Sequence, residues 1–280
     1  MTIAEFLARP LPEAPGLIHA ERTVRQLLAD RMGCQMGSLD AFPERAIPAD
    51  VLTRLETDLT QLAEGHPPAH VFGHVPFLDW DFKIDARALI PRPETEALCY
   101  FVTRRYAGKK PPCRVLDLCC GSGVLGLSLA LTFPESSVVL TDLCPNALAL
   151  CEENAALHGL RNRVQLCEGD LWHAVNEEDR FDLIVANPPY VAADDRVEQS
   201  VRLWEPPVAL YSERGGTAHI EGILKRLDHF LAPNGFAAFE LGHYHAETFV
   251  PQPGGLTGAF SWEADPFGVP RYLIYDAPDL

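Results

Sequence analysis

The chain has 280 residues, of which 47% are hydrophobic and 22% charged. This is enough apolar material for a core, so disordered, collagen-like and coiled-coil structures are excluded. At this length we expect one large or two ordinary domains that need no disulfide or structural metal. A formal net charge of -16 disfavours binding to phosphate backbones and to acidic membrane surfaces. We therefore expect no nucleic-acid partner and no membrane partner.

The sequence also predicts the cellular location of the protein and its metal content. The longest apolar run, 124–133, contains polar residues and is too short to span a bilayer. Glu5 lies where a secretory signal would need positive charge, which predicts a cytoplasmic protein. The cysteines show no zinc-binding spacing, and His243 and His245 would face the same way on a strand but lack a third ligand. No metal site is predicted.

The N-terminal part has the apolar spacing of helices. Apolar residues recur at helical intervals in 18–30 and again in 49–64. Glycine and proline at 65–68 end the second pattern. We expect residues 1–72 to form a small helical domain, followed by a connector at 73–112.

From residue 113 onward, strands and helices alternate. Strands are predicted at 114–118, 137–141, 163–167, 181–186 and 235–241, and helices at 124–131, 145–158 and 220–230. Continuous apolar strands between helices predict a parallel sheet covered on both faces. Two further strands, 260–262 and 272–275, flank a turn and predict an antiparallel closing pair. The expected fold class is α/β, a Rossmann-like seven-stranded mostly parallel sheet with a small helical N-terminal domain.

Ligands of such sheets bind at the carboxyl ends of the strands, and several of these ends carry suitable residues. In the segment 117–123, Asp-Leu-Cys-Cys-Gly-Ser-Gly, Gly121 and Gly123 allow a tight turn and a close approach to a ligand at a helix N-terminus. Glycine also serves such turns for structural reasons alone. Asp142, about twenty residues further on, could accept both hydroxyls of a ribose. The spacing also suits a dinucleotide enzyme, although the Gly-x-Gly-x-x-Gly pattern is only partly met.

A third strand end contains Asp170, Leu171 and Trp172. The carboxylate of Asp170 could accept from an adenine amino group, while Leu171 or Trp172 covers the ring. These residues favour a ligand that contains adenosine.

The fourth strand end is the most informative, because it reads Asn-Pro-Pro-Tyr at 187–190. Asn187 and the carbonyl of Pro188 could accept both hydrogens of a planar NH2 group, and Tyr190 could pack on its plane. A loop made rigid by two prolines would explain the prolines but not the asparagine and tyrosine beside them. The pattern therefore favours a site for an amino or amide nitrogen.

Together, 117–123, Asp142, Asp170 and 187–190 resemble, in this order, the class I S-adenosylmethionine-dependent methyltransferases that act on nitrogen. Asn-Pro-Pro-Tyr alone is shared with adenine and cytosine methyltransferases of DNA and RNA. The segment 89–96, Leu-Ile-Pro-Arg-Pro-Glu-Thr-Glu, is similar to a motif of the HemK/PrmC family of protein-(glutamine-N5) methyltransferases, which methylate a glutamine side chain of translation release factors. Further matches are Trp-Glu-Pro at 204–206, Ala-Leu at 209–210 and Glu-Leu-Gly at 240–242.

The resemblance implies S-adenosyl-L-methionine as methyl donor, S-adenosyl-L-homocysteine as product and a release factor loop as protein substrate. It implies that 1–72 recognises the substrate and that 113–280 forms the methyltransferase domain. The implied cofactor-binding residues are Asp117, Cys119, Cys120, Gly121, Ser122, Gly123, Asp142, Asp170, Leu171 and Asn187. The implied catalytic residues are Asn187, Pro188 and Tyr190. The implied substrate-binding residues are these three with Pro189, Arg92, Glu94 and Thr95. A proline-stiffened connector bonded to its neighbours is the competing interpretation of the last three.

Two departures from the family pattern leave an alternative open. Cys119 stands where the family usually has glycine, and Cys120 where it has a small hydroxyl residue, so the loop is bulkier beside the methionine part of the cofactor. The segment 211–216 lacks an aspartate that the family tends to show. The alternative function is an N- or O-methyltransferase of a small molecule in specialised metabolism. A nucleic-acid base methyltransferase is disfavoured by the charge, and a non-catalytic binding protein by the intact 187–190 segment. The oligomeric state is not predicted.

Overall fold

The computed structural model describes residues 1–13, 17–251 and 255–278. The helices are α1 (Ile3–Leu7), α2 (Ala20–Arg31), α3 (Met36–Ala41), α4 (Ala49–Ala63), α5 (Pro68–Phe72), α6 (Pro93–Arg105), α7 (Val124–Thr132), α8 (Pro145–Leu157), α9 (Gln199–Trp204), α10 (Glu213–Gly216), α11 (Ala218–Leu224), α12 (Leu227–Phe230) and α13 (His245–Thr248). The strands are β1 (His74–Phe77), β2 (Trp80–Lys83), β3 (Arg114–Leu118), β4 (Ser137–Asp142), β5 (Val164–Glu168), β6 (Phe181–Ala186), β7 (Leu231–Glu240), β8 (Ala259–Ala264) and β9 (Pro270–Asp276). Short 3-10 helices cover Leu171–Ala174 and Pro207–Ala209.

Two units divide the chain, the first comprising Met1–His74 with Val197–Trp204 and the second Val75–Arg196 with Glu205–Leu280. Apolar side chains of α2 and α4 form the core of the first unit, where Leu27, Leu28 and Leu55 are completely buried. Inside that unit the guanidinium of Arg31 bonds to the buried carboxylate of Asp58 at 2.8 Å. The two segments with helical periodicity form α2 and α4, and the short helices α1, α3, α5 and α9 of this unit were not predicted.

A seven-stranded sheet with the order β5-β4-β3-β6-β7-β9-β8 forms the centre of the second unit. The strands from β5 to β7 are parallel, while β9 runs antiparallel to both β7 and β8. The predicted α/β fold with an antiparallel closing pair is therefore confirmed. Leu118 in β3 lies opposite Thr141 in β4 and Ala186 in β6, so the residues that follow these three strands meet at one edge.

The predicted helix at 220–230 is wrong as a single element, because the chain forms α11 and α12 with Arg226 outside helical geometry between them. The indole N–H of Trp172 bonds to the carbonyl oxygens of Gly222 at 3.1 Å and Ile223 at 3.0 Å. A continuous α-helix would use these carbonyls for the N–H groups four residues later. A tertiary contact therefore interrupts a sequence that has helical periodicity.

His243 and His245 do not lie on a strand. Strand β7 ends at Glu240, and His245 is buried at the start of α13 while His243 is exposed. The carbonyl of Gly242 accepts the N–H of His245 at 2.9 Å, so the chain turns where the strand would have continued. Within the described residues, no group of three or more His, Cys, Asp or Glu side chains could hold a metal ion. None of the described helices is long and apolar enough to cross a membrane.

Strand β2 and helix α6 lie within the predicted connector, 73–112, and belong to the second unit. The roles assigned to 1–72, 73–112 and 113–280 stay predictions.

Candidate active site

A cleft opens at the carboxyl edge of β3, β4 and β6 and encloses about 980 Å³ of space, its open mouth included. Of the residues implied as cofactor-binding, those that line it are Asp117, Cys119, Cys120, Gly121, Ser122, Asp142, Asp170, Leu171 and Asn187. Gly123 is the exception, because it is buried at the start of α7.

The loop between β3 and α7 has alternating left-handed backbone conformations. The φ angles are 59° at Cys119, 57° at Gly121 and 82° at Gly123. A non-glycine residue in this region costs roughly 1–2 kcal/mol, which gives a physical reason for the glycine that the family usually has in place of Cys119. The amide of the buried Asn154 donates to the carbonyl of Ser122 at 2.9 Å. This bond fixes the loop against α8.

Both carboxylate oxygens of Asp142 accept backbone hydrogen bonds at the end of β4. The N–H of Gly121 donates to Oδ2 at 2.8 Å, and the N–H of Cys144 donates to Oδ1 at 2.8 Å. Burial raises the pKa of Asp142, while these N–H groups act in the opposite direction. Each oxygen retains a second lone pair, so an oriented carboxylate faces the cleft and can accept further hydrogen bonds.

Asp117 lies beneath the loop and not at the rim of the cleft. It is 1% exposed, its Oδ2 accepts the N–H of Gly126 at 2.8 Å, and burial raises its pKa to about 8. A carboxyl group at this position bonds to a donor in the first turn of α7. Asp117 therefore supports the loop that forms the floor of the cleft.

At the other end of the cleft, Asp170 is exposed and Leu171, with a φ of 47°, lines the wall. Trp172 is directed elsewhere, because its ring stacks on Phe230 at a centroid distance of 4.4 Å. Of the two alternatives for covering an adenine ring, Leu171 lines the cleft and Trp172 does not. The role of Leu171 toward the ring stays a prediction.

Asn187, which follows β6, is joined to a buried chain of hydrogen bonds. Its Nδ2 donates to Oγ1 of Thr95 at 3.0 Å, and this hydroxyl donates to Oε2 of Glu240 at 2.7 Å. Asn187, Thr95 and Pro189 line the cleft, whereas Pro188 and Tyr190 do not. The hydroxyl of Tyr190 donates to the other oxygen of Glu240 at 3.5 Å. Burial raises the pKa of this phenol above its ordinary range.

Arg92 and Glu94 contact neighbouring segments instead of the cleft. The guanidinium of Arg92 donates to one oxygen of the buried Glu205 carboxylate at 2.6 Å. The N–H of Ile90 donates to the second oxygen of the same carboxylate at 2.9 Å. Glu94 lies 3.7 Å from the guanidinium of Arg271. The structure therefore brings only Thr95 of these three predicted substrate-binding residues to the cleft wall.

Three residues at or near the site were not assigned any role from the sequence. Glu240 is a charged residue at the end of an apolar strand, and this position was a sequence signal for a buried carboxylate near the site. Asn154 on α8 and His219 on α11 carry no local signal, because only the folded chain brings them to the loop and to the cleft. Nδ1 of His219 lies 2.7 Å from the hydroxyl oxygen of the buried Ser212, which orients the imidazole at the cleft wall.

The lining residues suit a positively charged nucleoside ligand. Asp142 and Asp170 line the cleft, and among the described lining residues the one guanidinium, that of Arg87, is already bonded to Asp85 and Glu153. An oriented carboxylate at the end of β4 fits a ribose, and the turns at Cys119 and Gly121 leave room for a ligand near the backbone. The site thus fits S-adenosylmethionine.

Comparisons with known proteins agree with this geometry. The family model of the methyltransferase small domain matches residues 105–204. A release factor glutamine methyltransferase of Koribacter versatilis is 32% identical over 90% of this chain and 89% of its own length. Another, from Cereibacter sphaeroides, is 35% identical over 86% of each chain. The crystal structure of a methyltransferase from Pyrococcus furiosus shares the fold, with a TM-score of 0.52 at 15% identity over 82% of this chain and all of that one. The protein is therefore an S-adenosylmethionine-dependent methyltransferase that belongs to the release factor glutamine methyltransferase family.

Proposed function

We propose that this enzyme transfers a methyl group from S-adenosyl-L-methionine to the side-chain amide nitrogen of a glutamine in a translation release factor. The observation that carries the proposal is the placement of Asn187, whose side chain lines the same cleft as the glycine loop and Asp142. The curated relatives that are named release factor glutamine methyltransferases support the choice of acceptor.

In this proposal the cleft holds the methyl donor from end to end. The carboxylate of Asp142 accepts the ribose hydroxyls, Asp170 accepts from the adenine amino group, and Leu171 covers the ring. The backbone from Cys119 to Ser122 lies along the methionine part. When bound, S-adenosyl-L-methionine supplies a methyl group activated by the positive sulfur.

The residues of the chain contribute orientation, because an amide nitrogen is a poor nucleophile with its lone pair delocalised into the carbonyl. Oδ1 of Asn187 accepts one hydrogen of the glutamine NH2 group, and the carbonyl of Pro188, which lies between the cleft-lining residues Asn187 and Pro189 in the chain, accepts the other. Proline has no N–H to compete for these acceptors. Positioning of this kind can supply up to roughly 7–11 kcal/mol in favourable cases. No base is needed before transfer, since the nitrogen loses its proton after methylation.

The test is to incubate the purified protein with labelled S-adenosyl-L-methionine and a release factor that carries its Gly-Gly-Gln loop. The matched control is the same factor with that glutamine changed to alanine. We expect label on the first factor alone. Absence of label from both factors, with S-adenosyl-L-homocysteine binding confirmed, would contradict the proposal and favour a small-molecule acceptor.

A further inference from the structure

We propose that Glu240 and Thr95 are positioning residues for methyl transfer. The carboxylate of Glu240 sets the direction of the hydrogen bonds through Thr95, and this direction turns the amide oxygen of Asn187 toward the acceptor nitrogen. The inference rests on the proposed function, because it assigns Asn187 the acceptor role that glutamine methylation requires.

The geometry consists of two consecutive hydrogen bonds between three elements. Glu240 at the end of β7 is 1% exposed, and Thr95 on α6 is 4% exposed. The Thr95 hydroxyl lies 2.7 Å from Glu240 Oε2 and 3.0 Å from Asn187 Nδ2. Asn187 and Thr95 line the cleft, whereas Glu240 does not. Its other partner, Tyr190, does not line the cleft either, so Glu240 acts on the acceptor through Thr95 and Asn187.

The direction of these bonds follows from which groups can donate. An ionised carboxylate only accepts, and a threonine hydroxyl has a single proton. Thr95 gives this proton to Glu240, so it can only accept from Asn187. Asn187 must then present its NH2 group to Thr95, which leaves Oδ1 for the cleft. If the Asn187 amide were turned the other way, its Oδ1 would face Oγ1 of Thr95 with no proton between them. The Asn187 NH2 group would then face the NH2 group of the glutamine.

The surroundings of Glu240 make its ionised form costly. Arg271, a cation that lowers the pKa of Glu240, bonds to Asp265 at 2.8 Å. Burial is the largest of the influences that raise the pKa of Glu240 to about 7. The titratable groups that face it are Glu94 on α6, Tyr190 after β6, and Arg271 and Tyr272 on β9. A protonated Glu240 could donate to Thr95 and so reverse the chain of bonds. We expect methyl transfer to fall as the pH is lowered through about 7.

The decisive variant is Glu240→Gln, because its amide can donate to Thr95 where the carboxylate cannot. We expect kcat with the release factor to fall about 10- to 100-fold, while the Kd for S-adenosyl-L-homocysteine stays within about twofold. Thr95→Val should lose a similar factor, and Thr95→Ser should restore most of it because the hydroxyl returns. The loss of transfer at low pH should be absent from Glu240→Gln.

A stability measurement separates positioning from a structural role. A raised pKa means that the stabilising contribution is complete below the unfolded value near 4.5 and is lost as the pH rises through about 7. Glu240→Gln removes this loss, so at pH 8 the variant should be at least as stable toward urea as the wild type, although less active. If Glu240 had a purely structural role, the Glu240→Gln variant would instead lose stability and activity together.

The outcomes also separate this inference from the proposed function. If the wild type methylates the release factor and Glu240→Gln keeps kcat within twofold, the positioning role is refuted. If the wild type does not methylate the factor, the proposed function fails, and the orientation is tested by NMR of the side-chain amide. The Asn187 NH2 protons should then show a nuclear Overhauser effect to the Thr95 methyl group that weakens in Glu240→Gln. Its absence from the wild type would overturn the inference.

Discussion

The replacement of Asp142 by asparagine tests whether the cleft binds the methyl donor as we propose. The carboxylate accepts the N–H groups of Gly121 and Cys144, one on each oxygen at 2.8 Å. Asparagine offers one oxygen and one NH2 group, so one of these backbone donors faces another donor. The same change removes one of the two acceptors available to the ribose hydroxyls.

The expected magnitude follows from these losses. The ribose loses one hydrogen bond to a charged group, which contributes roughly 1.5–3 kcal/mol. The unpaired backbone donor is present in the free and in the bound enzyme, so it lowers stability and not affinity. We expect a loss of about 2–3 kcal/mol in binding, which raises the Kd for S-adenosyl-L-homocysteine about 30- to 150-fold.

Isothermal titration calorimetry with S-adenosyl-L-homocysteine measures this change directly. Glu152→Gln is the matched control, because it also converts a carboxylate to an amide, and its side chain on α8 is 63% exposed and 4.0 Å from its partner Arg161. The control should bind as the wild type does. A Kd for Asp142→Asn within threefold of the wild-type value, with the far-ultraviolet circular dichroism unchanged, would refute the assignment of Asp142 to the ribose.

Three further substitutions test the site and its supports. Asn187→Ala should lower single-turnover methyl transfer at least about 100-fold and leave the Kd for S-adenosyl-L-homocysteine within about threefold; equal losses in both would contradict its role toward the acceptor. Gly126→Ala should cost about 1–3 kcal/mol in urea unfolding, because the added Cβ would lie 2.8 Å from Oδ2 of Asp117, and an unchanged midpoint would count against that packing. Trp172→Phe should cost about 1–3 kcal/mol by leaving the Gly222 carbonyl without its indole donor, and a neutral result would show that water replaces it.

The central strands were predictable because their physical signal is local. The bounds predicted for 114–118 and 181–186 match β3 and β6. A parallel strand that is buried on both faces is a continuous apolar run, and its ends are marked where polar, glycine or proline residues begin. The same logic located the strand-end residues that line the cleft, since the chemistry of such sheets is concentrated at the carboxyl ends.

Elsewhere the tertiary structure overrode the local pattern. The periodicity of 220–230 is helical throughout, yet the indole of Trp172 takes carbonyls that a continuous helix would use. His243 and His245 have the alternate spacing of residues on one face of a strand, yet His245 is buried at the start of α13. The first outcome depends on a contact with a distant segment, and the second on the bond between the N–H of His245 and the carbonyl of Gly242.

By itself, the sequence determined the fold class, the strand ends and the resemblance that the curated relatives confirmed. Only the tertiary structure showed which side chains form the hydrogen bonds that orient the Asn187 amide. Thr95 and Glu240 are 145 residues apart, and Thr95 and Asn187 are 92 residues apart. They meet because β7 lies beside β6 and α6 packs against that part of the sheet. The direction of each hydrogen bond depends on which of the two side chains carries the proton. Because these side chains are so far apart in sequence, only the order of the strands shows which of them pair.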